Sequence, residues 1–148
     1  MEDTAKIAFR FNRIGPEGLP LNLAISVDGI DIYDKDLTEN SEQMVEHSIS
    51  DAEGEHTIEI RLAGKTWDHT VVGPGDSIIS DIAVMIEEIT LEDLDVTGAA
   101  LRTAKLTHAF NDPNKELVTV AGTTYLGFNS ITEVKFNTPA FIWMLENL

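Results

Sequence analysis

The sequence predicts an all-β protein, an antiparallel β-sandwich of the jelly-roll type with a short C-terminal strand or turn. Apolar residues recur at every second position in several segments, as they do in strands with one buried face. Glycine, proline, asparagine and aspartate separate these segments, and no long amphipathic helical pattern interrupts them. Because 148 residues suit one core, residues 1–148 are expected to form a single β-sandwich domain.

The first predicted strands form a hairpin after an initial strand. The segment AKIAFRFNR places Ile7, Phe9 and Phe11 on one face, and LNLAISV repeats this alternation over residues 21–27. The dipeptide Asp28-Gly29 then separates LNLAISV from IDI. A strand, Asp-Gly and a second strand are the strongest short signal for a β-hairpin.

The remaining strands are predicted along the rest of the chain. The segment EHTIEIRLAG alternates regularly, whereas IISDIAVMIEEITL alternates imperfectly and places Ile82, Val84 and Ile86 on one face. Residues 90–95 and 139–147 are expected to form single turns, the first with Thr90 as its cap. Further strands are predicted over 103–110, 116–121, 123–128 and 131–136.

The charge of the chain is strongly negative and unevenly distributed. The formal net charge of -16 argues against binding to nucleic-acid phosphates or to anionic membrane surfaces. Residues 28–55 hold ten acids against one base, and residues 81–95 hold six acids and no base. Residues 96–148 are balanced in charge. We therefore expect the acidic body to face solvent and the neutral C-terminal end to face a protein partner.

Composition and motifs predict a protein that is not an enzyme. No cysteine is present, which excludes disulfides, thiolate zinc sites and cysteine nucleophiles and fits a reducing cytoplasm. The sequence contains no P-loop, no GxGxxG and no GxSxG motif. It also lacks the pattern of a signal peptide and an apolar stretch of transmembrane length. No cofactor is expected, unless the chain is a glycan-binding domain that uses calcium.

Two groups of acidic residues were considered as cation sites. Residues 28–36 hold four aspartates, but their spacing does not fit an EF-hand, and we interpret them as a solvated strand edge. Asp68, Asp76 and Asp81 surround the turn Gly73-Pro74-Gly75 and are the candidate calcium ligands. The four histidines have no metal-ligand spacing and are expected to be partly exposed. They are His47, His56, His69 and His108.

Aromatic residues mark two candidate contact regions. Trp67 lies in the loop-like segment GKTWDHT, where it would either stack on a sugar ring or partner, or cover the edge of the sandwich. The chain ends in the apolar run TPAFIWMLENL. This run suits either a final element of the core or an anchor for a partner. The candidate interface residues are Phe141, Trp143, Met144 and Leu145.

Residues 5 to about 97 resemble the small jelly-roll carbohydrate-binding modules, especially the calcium-dependent kind that binds xylan. The resemblance rests on the order of LNLAISVDGI, EHTIEIRL, a loop with TWD, and DIAVMIEEITLEDLDV. It implies a jelly-roll fold and, as an alternative function, a glycan-binding domain with calcium as its cofactor. Asp68 lies in about the loop that holds the calcium site of those modules.

A second resemblance covers the C-terminal half. The segments DIAVMIEEITLEDLDVTG, THAFND and TTYLGFNSITEVKFNTPAFIWMLENL resemble short virion structural proteins of tailed bacteriophages, notably those of marine cyanobacteria. This resemblance implies a non-catalytic structural protein located in the virion. A capsid decoration or cement protein is the first expectation, and a tail or fibre component the second. Its partners would be other virion proteins, such as the major capsid protein, and further copies of itself.

Overall fold

A computed structural model describes residues 3–65, 71–72, 74–76, 78–108 and 116–148. Within these ranges the chain forms two larger antiparallel sheets that share one hydrophobic core, together with a small sheet of two strands. The predicted β-sandwich is therefore confirmed. No helix in the described ranges has the length and apolar character needed to cross a membrane.

The described elements follow this order along the chain. The first five strands are β1 (Thr4–Ile14), β2 (Leu21–Val27), β3 (Ile30–Leu37), β4 (Glu42–Ser50) and β5 (Gly54–Ala63). They precede β6 (Val71–Val72), a 3-10 helix (Pro74–Asp76), β7 (Ile78–Ser80), β8 (Ala83–Leu91) and β9 (Leu94–Asp95). The C-terminal part holds α1 (Thr97–Thr103), β10 (Lys105–His108), β11 (Val118–Ala121), β12 (Tyr125–Leu126), β13 (Ser130–Thr138) and α2 (Ala140–Asn147).

The two larger sheets differ in width. The five-stranded sheet has the order β12-β8-β1-β4, with β9 paired to β8. The six-stranded sheet has the order β11-β10-β13-β5-β2-β3. In the described part of the chain, β11 and β12 thus lie at one side of the sandwich, and β3 and β4 lie at the edges farthest from them.

Alternation along the strands builds the core. Alternate residues of β1, β2, β5, β8 and β13 point inward and are almost fully buried, which is the arrangement expected for strands with one face on a core. The inward residues include Ile7, Phe9, Phe11, Leu21, Leu23, Ile25, Ile58, Ile60, Leu62, Val134 and Phe136. At roughly 1.5–3 kcal/mol for each large apolar side chain, this burial is the main stabilising contribution to the fold.

The predicted hairpin at Asp28-Gly29 is present between β2 and β3. Val27 pairs with Ile30, so the two turn residues form a two-residue loop. Both have positive φ, at 52° for Asp28 and 82° for Gly29. Two positive φ values are the requirement of a type I′ turn, and aspartate followed by glycine meets it with little strain.

A β-bulge explains the imperfect alternation of β8. Arg10 pairs with Glu88, but the next residue of β1, Phe11, pairs with Ile86, so Glu87 is the extra residue. The bulge shifts the phase of the strand by one residue. Val84 and Ile86, which precede the bulge, and Ile89 and Leu91, which follow it, therefore all point into the core.

Several elements differ from the sequence predictions. Residues 90–95 do not form a helical turn, because Glu92 and Asp93 both adopt positive φ and close a tight hairpin between β8 and β9. Strand β4 was not predicted, since His47 lies between Val45 and Ile49 and breaks the apolar alternation. Helix α1, with seven residues, is too short for a clear helical pattern. The expected C-terminal strand or turn is instead helix α2, with eight residues.

Candidate functional site

A cleft of about 380 Å³ opens at the side of the sandwich where β10 and β11 approach β12. This volume falls within the range of small-ligand sites in proteins. The lining is mainly apolar, and Asp81 is the only acidic residue among the described residues that line it. Those residues are Asp81, Leu106, His108, Val120, Thr123, Tyr125, Leu126, Gly127, Phe128 and Ser130.

Two aromatic side chains of the cleft remain partly exposed. Tyr125 is 40% exposed and Phe128 is 39% exposed. The ring of Phe128 stacks on His108, with 4.7 Å between ring centroids and 6° between ring planes. The ring of Tyr125 lies so close to Gly127 that a Cβ there would come within 2.7 Å of it. Each ring therefore packs against a neighbouring residue and still reaches the surface.

A buried ion pair supports the cleft. The Lys65 ammonium donates to the Asp81 carboxylate over 2.6 Å, and the side chains are only 1% and 14% exposed. The Tyr125 hydroxyl donates to the second oxygen of Asp81, also over 2.6 Å. Burial, together with this hydrogen bond and the negative charge of Asp81, raises the pKa of Tyr125 to about 12. Tyr125 is thus a neutral hydrogen-bond donor at physiological pH.

Backbone contacts hold both members of this ion pair. The Lys65 N–H donates to the Asn129 side-chain oxygen over 2.8 Å, and the Asn129 amide donates to the Lys65 carbonyl over 2.6 Å. On the other side, Gly15 packs against the Asp81 backbone, where a Cβ would clash with the carbonyl oxygen. Three segments distant in sequence therefore fix the cleft: the end of β5, the loop after β1 and the turn before β13.

One polar group in the cleft has no partner among the described residues. The Ser130 hydroxyl is buried and accepts or donates no hydrogen bond in the described part of the chain, although Ser130 lines the cleft and is 7% exposed. A buried hydroxyl without a partner costs roughly 1–3 kcal/mol. A ligand or water that enters the cleft and hydrogen-bonds to it would offset this cost.

The predicted calcium ligands are only partly described. Asp68 and the side chain of Asp76 lie outside the described residues. Asp81 accepts hydrogen bonds from the Lys65 ammonium group and the Tyr125 hydroxyl. Among the described residues, no group of three or more His, Asp or Glu side chains could hold a metal ion. The assignment of Asp68, Asp76 and Asp81 as calcium ligands stays a prediction.

The other predicted contact residues fall in different places. Trp67 lies outside the described residues. In α2, Phe141 and Leu145 are exposed, whereas Trp143 and Met144 belong to the core. The Trp143 ring packs edge-on against Phe136, with 4.6 Å between centroids. One face of the terminal run therefore closes the core, and the other face is exposed. The role of the exposed face as an anchor for a partner stays a prediction.

The four histidines differ in their burial and contacts. His108 is buried beneath Phe128, so the expectation that it would be partly exposed is wrong. His56 bridges elements through its contact with Asp28, over 2.7 Å. His47 is half-buried, and His69 lies outside the described residues.

Sequence reasoning did not identify the cleft, although one signal pointed to it: residues 117–132 contain no charged side chain.

Comparisons with known proteins leave the family of this chain open. No protein-family model matches it, and no curated protein matches it. One similar solved structure is the selenomethionine form of vCBM60, from work on circular permutation as an evolutionary link between two families of calcium-dependent carbohydrate binding modules. It shares 13% identity with this chain, covers 90% of it and 91% of its own length, and gives a TM-score of 0.46. None of these comparisons supports the virion resemblance, which stays a prediction.

Proposed function

We propose that this protein is a non-catalytic glycan-binding domain and that the cleft beside Tyr125 and Phe128 is its binding site. The observation that carries this proposal is a pair of partly exposed aromatic rings in the same cleft as the buried hydroxyl of Ser130, which has no hydrogen-bond partner among the described residues. The face of an aromatic ring is negative and attracts the C–H groups of a sugar ring. The sugar hydroxyls would then reach Ser130 and the Asp81 network.

The charges of the cleft support binding rather than catalysis. Glycoside hydrolysis usually needs two carboxyl groups on opposite sides of the bond, one of them with a raised pKa. Asp81 is the only acid among the described lining residues, and Lys65 neutralises it. A single paired carboxylate cannot serve as both acid and base in that reaction.

Binding to neutral soluble polysaccharides, measured by isothermal titration calorimetry, tests this proposal. We expect Tyr125→Ala and Phe128→Ala each to weaken binding about tenfold, which corresponds to about 1.4 kcal/mol. Phe141→Ala is the matched control, because this phenyl group is exposed on α2, away from the cleft. Unchanged affinity in both cleft variants, or no binding to any glycan tested, would contradict the proposal.

Calcium is not required in this proposal, because Lys65 already neutralises Asp81. We therefore predict that the melting temperature is the same in millimolar calcium and in chelator. A cation that binds only the folded protein must raise its stability, so a shift would be visible. A rise of several degrees with calcium would contradict this prediction and favour a site that includes Asp68 and Asp76.

The second candidate function is the structural role in a phage particle. The observation that favours it is the exposed apolar surface of α2 and of Leu148, which follows it: Phe141, Ile142, Leu145 and Leu148 are each more than half exposed. Such a face suits a contact with another virion protein, for example the major capsid protein. Imaging of purified particles with a tagged chain tests it: regular density on the head or tail would support a virion location, and unlabelled particles would exclude one.

A further inference from the structure

Strand β11 is an edge strand that lies in a sequence segment without charged residues. No other described strand pairs with its outer side, and all four of its residues are exposed. The sixteen residues 117–132 contain no Asp, Glu, Lys or Arg, although such residues make up 24% of the chain. Exposed apolar side chains include Val120 within the strand and Leu117 directly before it.

The other long edge strands are protected by charge. Strand β3 carries Asp31, Asp34, Lys35 and Asp36, and strand β4 carries Glu42 and Glu46. Charged side chains on an edge disfavour pairing with a second chain. Among the described edge strands of four or more residues, β11 is the one without such protection.

The direction of the backbone groups in β11 follows from one hydrogen bond. The Gly122 N–H donates to the Ala104 carbonyl over 3.2 Å, so this pair belongs to the hydrogen-bonded set of the ladder. Bonded and non-bonded pairs alternate in an antiparallel ladder, which places Val120 and Leu106 in the next bonded pair. The N–H and C=O groups of Thr119 and Ala121 therefore point away from β10, towards the open edge.

We propose that β11 pairs antiparallel with β11 of a second copy of this chain, across a two-fold axis at Val120. In this register Thr119 of one copy exchanges backbone hydrogen bonds with Ala121 of the other, and the two Val120 side chains lie side by side. The two six-stranded sheets then join into one continuous sheet. The same patch serves both copies, as a two-fold interface requires.

The neutral edge at β11 is where a second copy of this acidic chain can approach with the least repulsion. Two chains of net charge -16 repel each other, and the repulsion is weakest when they meet at a neutral surface and keep their acidic parts apart. The acid-rich strands β3 and β4 lie at the edges farthest from β11 and β12. Pairing through β11 thus places strands β3 and β4, with their acidic residues, at the two distant ends of the dimer.

Sedimentation equilibrium tests whether the dimer forms. Across about 1 to 300 µM, where weak dimers dissociate, we expect the mass to rise from the monomer value of 16.3 kDa towards twice that value. Thr119→Glu places two negative charges at the interface and should leave a monomer at all these concentrations. Ser48→Glu, which adds the same charge to exposed edge strand β4, is the matched control and should still dimerise.

Single cysteine variants test the register, because the chain has no cysteine of its own. Under mild oxidation, Val120→Cys should form a disulfide-linked dimer, since directly opposed residues in an antiparallel pair are close enough for a disulfide. Thr119→Cys should not form a disulfide-linked dimer, because the two introduced thiols lie at diagonal positions and not directly opposite each other. Preferential cross-linking at Thr119→Cys would overturn the proposed register.

A monomer throughout the concentration range, or a dimer that survives Thr119→Glu, would overturn the proposed interface. Thermal melts of each variant check that it is folded. The measurements use the protein without glycan, so their outcome is independent of the proposed binding function.

Discussion

Lys65 is the residue whose surroundings most constrain the candidate site. Its side chain is 1% exposed, and Asp81 neutralises it over 2.6 Å. Loss of one partner from a buried ion pair leaves an uncompensated charge, which is costly. We predict that Asp81→Asn lowers the free energy of unfolding by about 3 kcal/mol in urea titrations.

The matched control for Asp81→Asn is Asp31→Asn. Asp31 makes an ion pair of the same length, 2.6 Å, with Arg61, but both side chains are well exposed. An exposed pair contributes about 0–1 kcal/mol, so this variant should stay close to the wild-type stability. Equal decreases in the free energy of unfolding of the two variants would contradict the importance of burial at Asp81.

Asp28 gives the protein a measurable pH dependence. Burial alone would raise the pKa of its carboxyl group, but hydrogen bonds from His56 and from the Thr57 N–H outweigh burial, so the net pKa is lowered. A lowered folded-state pKa means that the ionised carboxylate stabilises the fold above the unfolded-state pKa, and this contribution is lost as the pH falls through the folded-state pKa.

We therefore predict that Asp28→Asn is less stable than the wild type at pH 7, and that the difference begins to shrink at about pH 4 and disappears once the pH is below the lowered folded-state pKa. The loss at pH 7 should be under about 1 kcal/mol, because the Asp28 side chain is 44% exposed. Asparagine keeps the positive φ of this turn position, so the substitution changes mainly the charge. Urea titrations at pH 7 and at low pH measure the difference in free energy of unfolding between the variant and the wild type. A difference that does not change with pH would contradict the stabilising role of the ionised Asp28 carboxylate.

Helix α2 shows how one element serves both the core and the surface. Trp143 packs on Phe136 and is 5% exposed, whereas Phe141 on the same helix is 66% exposed. We predict that Trp143→Ala lowers the free energy of unfolding by about 3 kcal/mol or more, as large-to-small core changes do. Phe141→Ser should change it by less than about 0.5 kcal/mol. Similar losses in both variants would mean that the helix packs differently.

The elements also show which parts of the fold follow from local sequence. Strands β1, β2 and β5 were predicted because their inward residues alternate without interruption. The alternation of β8 was imperfect because a bulge at Glu87 shifts its phase, and β4 was missed because His47 occupies an inward position. Both irregularities depend on how β4 and β8 pair with β1, which is distant in sequence. The local periodicity of the sequence contains no information about this pairing.

At the scale of the whole molecule, the candidate site was less predictable than the fold. The cleft is formed by strands from both sheets and supported by Lys65 and Asp81, which are sixteen positions apart. Lysine and aspartate are usually exposed, so nothing in the local sequence indicates that this pair is buried. The absence of charge over residues 117–132 was visible, but its meaning depends on the exposure of β11.

The distribution of charge over the whole molecule yields a final prediction. A dimer held by ion pairs weakens as salt is added, whereas two acidic chains that meet at a neutral edge associate more strongly, because salt screens their mutual repulsion. The Debye length falls from about 30 Å at 0.01 M to about 10 Å at 0.1 M salt. We predict that the dissociation constant of the β11 dimer decreases several-fold between these concentrations, measured by sedimentation equilibrium in sodium chloride. Weaker association at the higher concentration would indicate an interface made by charged residues, and the neutral edge at β11 contains none.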